Sequence, residues 1–320
     1  MKKRRSIGQV LIDFRTILIL IFLIAIFTYL KPVFINPMNL LNMLKRQSFT
    51  MIAAFGMTFL LTLGVFDMSA GSTVALVGLV LAYGLNKGVS AAVMLPAVVI
   101  LSIVCGLING IIVVKGKIPA FLTTLATMNI YRGLAQTISD GKTISIKLKW
   151  LTNLFGNGTL LGIPTPVIIM LIFLVVAAFL FYKTKLGFYC RCIGGNIEAS
   201  KGAGINVNLI QIVAFCMMGL AAGAAGLIEC GLMNAGMPDL GSDLAMDAIA
   251  AAVLGGTAIS GGLGTIWGTI GGALIMGILN SGLALMGAQT PVQLFVKGLV
   301  IIAAILMDNM LKSRKTVVKA

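Results

Sequence analysis

Histidine is absent from this 320-residue chain, tryptophan occurs twice, and aspartate and glutamate together number nine. Without histidine the commonest general base and metal ligand is missing. So few acids leave no clustered carboxylates for metal-assisted or acid–base chemistry, which weighs against an integral-membrane enzyme; no catalytic residue is expected. Charged residues of both signs make up only 10% of the chain, against about 25% in an average soluble domain. Cysteine is sparse too. Cys105, Cys216 and Cys230 fall in or near apolar runs, and Cys190-Arg-Cys192 sits in a basic loop. One such pair offers too few ligands for zinc, and nothing calls for a cofactor or metal.

What is present is apolar. Hydrophobic types reach 59% and the mean hydropathy is +1.06, more than a soluble fold of this length can hide. The apolar runs are continuous rather than alternating, which argues against a β-barrel. At roughly 20 residues per crossing the apolar content allows about eight to ten helices. The expected class is an all-α, polytopic helical membrane protein with about ten transmembrane helices, some broken or re-entrant, forming one domain over 1–320.

Ten apolar runs are legible: 17–30, 48–66, 68–86, 90–114, 118–138, 163–182, 208–230, 247–262, 265–286 and 291–309. The run at 118–138 is the weakest, since it carries Asn129 and Arg132. The first follows the basic start Met1-Lys-Lys-Arg-Arg, as in a signal peptide, but no small-residue cleavage site comes after it and many more spans do. Ten spans put both ends on one side. With 1–16, 115–117, 183–207 and 310–320 inside, the inner segments hold fifteen Lys and Arg and the outer ones seven. That imbalance predicts cytoplasmic termini in a multi-pass plasma (inner) membrane protein. The net charge of +15 thus reads as topology in a lipid bilayer, not as nucleic-acid binding. The segments 140–160 and 231–247 read as external loops, the second carrying Asp239, Asp243 and Asp247 without a basic residue.

Glycine is abundant, at 38 residues. Gly106 with Gly110, the trio Gly219, Gly223 and Gly226, and the trio Gly264, Gly268 and Gly272 have the spacing that lets membrane helices approach closely. The tripeptide Gly141-Lys142-Thr143 lacks the upstream glycine of a phosphate-binding loop, because Gln136 stands there. If this chain takes part in ATP-driven work, the ATPase is another polypeptide.

Polar groups at membrane depth are functional candidates. They are Asp67, Asn109, Arg132, Gln211, Glu229, Asn280 and Lys297. Asp67 lies in Gly64-Val-Phe-Asp-Met-Ser-Ala-Gly-Ser72, between two runs. It reads either as a carboxylate at the start of the next helix or as part of a broken helix that presents Asp67 and Ser69 to a substrate. Asn109 and Asn280 read as partners in interhelical hydrogen bonds, or with Asp67 and Ser69 as a substrate pathway. Glu229, near the end of its run, reads as facing water, and Lys297 as snorkelling. Together these groups do not form a proton relay.

The segment 183–207 is too polar to span. Asn196 is placed to cap a short helix with Glu198 in its first turn, and Gly202 and Gly204 to end it. It reads as a solvated connection or as a docking helix.

Five blocks now carry a resemblance: Phe55-Gly-Met-Thr58 with Asp67-Met-Ser-Ala-Gly-Ser72; Lys115-Gly-Lys-Ile-Pro-Ala-Phe121; Leu161-Gly-Ile-Pro-Thr-Pro166; Gly194-Gly-Asn-Ile-Glu-Ala199 with Gly204-Ile-Asn-Val207; and Asp247-Ala-Ile-Ala250 with Val253-Leu-Gly-Gly-Thr257 and Gly261-Gly-Leu-Gly264. In this order they resemble the permease subunit of bacterial ATP-binding-cassette importers for monosaccharides of the ribose, xylose and galactose type. The resemblance covers about 39–309. It implies two permease copies forming a homodimeric pore, a cytoplasmic ATPase as motor and an extracytoplasmic sugar-binding protein that delivers the substrate. It implies an ATPase-coupling loop on Gly194, Gly195, Asn196, Glu198, Ala199, Ala203 and Gly204. Permeases for amino acids, nucleosides or autoinducers in the same superfamily, and a secondary transporter, are the competing readings. The chain departs from the family pattern at Val65, where glycine is common, and at Leu263, where a basic residue is common.

Overall fold

The computed structural model describes residues 15–317; the basic start Met1-Lys-Lys-Arg-Arg and the last three residues lie outside them. Helices occupy the places of all ten apolar runs. The first five are α1 (Arg15–Leu30), α2 (Pro37–Thr62), α3 (Ala70–Asn86), α4 (Ala91–Gly116) and α5 (Ala120–Ser139). After the short α6 (Lys149–Thr152) come α7 (Thr165–Lys183), α8 (Lys185–Gly195), α9 (Ile197–Gly202), α10 (Val207–Met233), α11 (Leu244–Leu254), α12 (Ile266–Leu285) and α13 (Thr290–Val317). Strand is confined, among the described residues, to two small antiparallel ladders. Residues 144–145 pair with 235–236, and 159–160 with 163–164.

Four helices, α4, α7, α10 and α12, are each long and apolar enough to cross a membrane alone, and α1, α3, α11 and the first half of α13 are shorter apolar helices. The chain is a polytopic helical membrane protein. Its outer faces bear this out: Val93 and Ile100 on α4, and Ile172, Val175 and Phe179 on α7, are exposed, as suits a bilayer that acts as solvent for apolar side chains.

The core is built around α2. Asn36 caps it by accepting from the Met38 N–H at 2.9 Å, and Pro37 occupies the first turn, where no N–H is needed. Every residue from Thr50 to Thr62 is buried, so this half of the helix is surrounded by protein on all sides. Thr58 Oγ1 lies 2.8 Å from Thr269 Oγ1 of α12, and Gly56 packs on Met218 and Ala221 of α10. The α4–α10 seam is closed by the expected small residues. A Cβ on Gly106 would run into the Phe215 carbonyl, and one on Gly219 into the Ser102 carbonyl. Gly268 and Gly272 seat α12 on the backbone of Gly255 and Ala251 in the same way. Gly264 does not belong to that row. It lies before the helix, whose N-cap is Thr265, and faces Thr62 and Phe181.

Two segments depart from the expected spans. The run at 247–262 holds only α11, eleven residues long and so about 16 Å, too short to cross. Gly255, Gly256, Gly261 and Gly262 follow, and the last three have positive φ, which leads the chain out of helix. The run at 68–86 becomes α3, separated from α2 by the non-helical stretch 63–69. There Gly64, at φ +82°, ends α2: its N–H donates to Leu61 and that of Val65 to Leu60, the hydrogen-bond pair of a Schellman cap. The glycine that the resemblance places at 65 is thus supplied one residue earlier.

Gly106→Ala should destabilise the protein by about 1–3 kcal/mol through overpacking, read as a lower melting temperature in detergent. Gly133→Ala, in a helix with open space around it, should leave the melting temperature unchanged or raise it slightly.

Candidate functional site

Three of the four residues expected along a substrate pathway lie in one buried cluster. Asp67 Oδ1 accepts from the Ser69 N–H and from Ser69 Oγ, both at 2.7 Å. The Asn109 amide of α4 donates to Ser69 Oγ at 2.8 Å and to Asp67 Oδ2 at 3.3 Å. Tyr131 of α5 donates to the Cys105 carbonyl at 3.0 Å and reaches Asn109 Oδ1 at 3.4 Å. All four side chains are buried. The carboxylate serves the free N–H groups where α3 begins, and the amide ties that break to α4.

Asn280 lies elsewhere. It lines a cavity of about 1000 Å³ between α2, the end of α10, the loop before α11, α12 and α13, at the top of the ~300–1000 Å³ range of small-molecule sites. The wall is rich in polar and charged groups of both signs, among them Arg46, Gln47, Glu229, Asp243 and Lys297. Asp67, Ser69 and Asn109 are not part of the lining.

Several of these groups sit where the sequence does not place them. Lys45 and Arg46 lie inside α2 rather than in a loop, with Lys45 Nζ donating to Asn157 Oδ1 at 3.0 Å. Asp247 belongs to the first turn of α11, not to an external loop, and pairs with Lys297 of α13 at 3.0 Å. Both partners of that pair are mostly buried, so Lys297 does not snorkel to water. Glu229 does not face water as expected: its Oε1 accepts from the Gly241 N–H at 3.3 Å. Arg132 donates to the Pro238 carbonyl and, at 2.9 Å, to that of Leu240. Gln47 escaped notice because the apolar run begins one residue after it.

At the opposite end of the bundle lie α8 and α9. Asn196 accepts from the Ala199 N–H at 2.9 Å, Glu198 pairs with Lys201 at 2.8 Å, and Gly204, at φ +79°, ends α9. The sequence reading missed α8, which Thr184 caps through the Leu186 N–H at 3.2 Å. Gly194, in its last turn, lies against the Thr62 carbonyl and the Gly262 N–H, leaving no room for a Cβ. Glu198, Ala199, Ala203 and Gly204 are the face beyond it; the Gly195 backbone lies against Gly262, and a Cβ on Gly195 or Gly204 would meet nothing. Among the cysteines, all five are free, and burial pushes the Cys190 thiol up to about 12.

The sequence that builds this framework matches a family model. Residues 39–305 match the family described as the permease component of the branched-chain amino acid transport system. The chain belongs to that family. It is 39% identical to the ribose import permease protein of Haemophilus influenzae, with 97% of both chains covered, and 38% identical to that of Bacillus subtilis, covering 91% of this chain and 90% of the relative. It is 33% identical to the L-arabinose transport system permease protein of Escherichia coli K12, covering 99% and 96%. No solved structure matches the chain. The chain is a multi-pass membrane permease of the sugar-import group, and the relatives named are transport proteins rather than enzymes.

Asn109→Leu should lower thermal stability in detergent by about 1–3 kcal/mol, because it leaves Asp67 and Ser69 buried without their shared donor. Asn129→Leu, on an exposed face of α5, should change it by less than about 0.5 kcal/mol.

Proposed function

We propose that this chain is the membrane-spanning subunit of an ATP-driven importer that moves a monosaccharide, a ribose-like pentose or a hexose, into the cytoplasm by alternating access. The observation that carries the reading is the 39% identity to a ribose import permease across 97% of both chains. A match to the L-arabinose permease at 33% keeps the substrate class at monosaccharide. The family description favours a second reading, a permease for a branched-chain amino acid.

On the first reading, 183–207 lies in the cytoplasm with both termini and forms the coupling loop within a single domain spanning 1–320. Gly194, Gly195, Asn196, Glu198, Ala199, Ala203 and Gly204 contact an ATPase subunit. The opposite end receives a sugar-binding protein, and two permease copies flank the pore. Asp67, Ser69 and Asn109 set the helix break that the transport cycle bends, and Asn280 lines the path. The support for a docking role is mechanical. A load applied to α9 passes through Gly194 into Thr62, the end of α2, and into the loop after α11, since the Gly262 N–H donates to the Thr62 carbonyl at 2.9 Å. The permease itself needs only weak contacts with the sugar, because the binding protein selects it.

The test is uptake of labelled D-ribose into vesicles holding the permease with its ATPase and binding protein. Uptake should require ATP. Glu198→Arg or Gly204→Asp should reduce it at least about tenfold while ribose binding by the binding protein stays intact. Aspartate at Gly204 is strained at positive φ, and it adds a charge to the docking face. Undiminished uptake by a normally expressed Gly204→Asp protein would overturn the docking assignment. Uptake of leucine but not of ribose by the wild-type assembly would overturn the sugar reading.

A further inference from the structure

Three of the buried side-chain atoms that have no hydrogen-bond partner belong to residues on the wall of the cavity: Gln47 Nε2, Glu229 Oε2 and Asn280 Oδ1. Gln47 is only 6% exposed. Buried polar groups are nearly always paired, and each exception asks for a reason.

The packing brings the three to one level of the bundle. Thr58 of α2 touches Thr269 of α12. Eleven residues back along α2 is Gln47, and eleven forward along the antiparallel α12 is Asn280. Gln47 lies against Gly277, its Cγ 3.2 Å from where a Cβ there would stand, one helical turn from Asn280 and on the same face. Gly56 of α2 touches Ala221 of α10. Nine residues back along α2 is again Gln47, and eight forward along α10 is Glu229. A donor on the central helix is therefore flanked by two acceptors on its neighbours.

We propose that Gln47, Glu229 and Asn280 form a hydroxyl-recognition site in the cavity for a neutral polyhydroxylated solute; this rests on the sugar-import reading. A hydroxyl group both donates and accepts, so vicinal hydroxyls satisfy an amide N–H and two acceptor oxygens together. The aliphatic side chain of a branched-chain amino acid satisfies none of them. A sugar phosphate meets the Glu229 carboxylate, and of the three cations on the wall among the described residues Lys297 is engaged by Asp247 and Lys45 by Asn157, leaving Arg46. Glu229 has a second task. Its other oxygen holds the Gly241 N–H, so a solute bound to Oε2 pulls on the residue that anchors the loop before α11.

The test compares uptake of D-ribose and 2-deoxy-D-ribose by the complete importer in vesicles, for wild type, Gln47→Leu, Asn280→Leu and Glu229→Gln. The binding protein and ATPase are identical in all four, and the ratio of the two sugars does not depend on how much permease folds. The ribose-to-deoxyribose ratio should fall about fivefold or more in at least one of the leucine variants, since a lost hydroxyl contact then no longer penalises the deoxy sugar. Asn280→Gln, which restores the acceptor, should recover part of it. An unchanged ratio in all three variants would overturn the site while leaving sugar import standing. A wild-type importer that moves neither sugar would overturn the sugar reading and the site with it.

Discussion

Hydrocarbon offers no hydrogen bonds, so a membrane protein that breaks its helices must satisfy the freed backbone groups from within. This chain breaks twice at depth, at 63–69 and at 234–243, and its few membrane-depth charges go to those places. Asp67 accepts from the Ser69 N–H. Arg132 donates to the carbonyls of Pro238 and Leu240. Glu229 accepts from the Gly241 N–H. The remaining pair, Asp247 and Lys297, fastens the start of α11 to α13. A chain with nine acids spends three of them holding interrupted helices in place. The breaks, rather than any reaction, account for charge at this depth.

The first break is also joined to the loop that follows α11. The Thr62 carbonyl, at the end of α2, receives the Gly262 N–H, and Gly194 of α8 closes on both. The first break begins immediately after Thr62, and the loop holding Gly262 begins where α11 ends. One backbone junction therefore connects α8 to the end of α2 and to the loop after α11. Packed interfaces of this kind have few discrete arrangements rather than a continuum. The glycine seams between α4 and α10 permit close approach of the two backbones.

Local chemistry was readable in the sequence; long-range partnership was not. Asn196 capping α9 and Gly204 ending it follow from residue type and spacing, as does Asp67 at the start of α3. All ten apolar runs proved to contain helix, because in a bilayer the apolar run is itself the structural signal. The differences at Asp247, Lys297, Glu229 and Gln47 share one cause. Asp247 and Lys297 are fifty residues apart and each alone looks like a surface charge. Glu229 near a helix end looks solvated until the loop carrying Gly241 folds back over it. Gln47 sits one residue before an apolar run, and only the registers of α2 with α10 and α12 give it neighbours. The short span at α11 was misjudged because the glycines after it are hydropathically neutral and extend the run without extending the helix.

The positions of the polar groups divide the labour of the molecule. The cluster around Asp67 is internally paired: its Ser69 and Asn109 partners account for both carboxylate oxygens. A closed network gains nothing from a ligand and loses much by being opened. The wall holding Gln47, Glu229 and Asn280 is the reverse, with one donor and two acceptors left unpaired beside a cavity. Satisfied groups hold shape, whereas these unsatisfied atoms lie buried in residues that line the cavity. Asp67 and Asn280 share a rarity in the sequence, a polar residue in an apolar run, but Asp67 is fully paired and Asn280 is not.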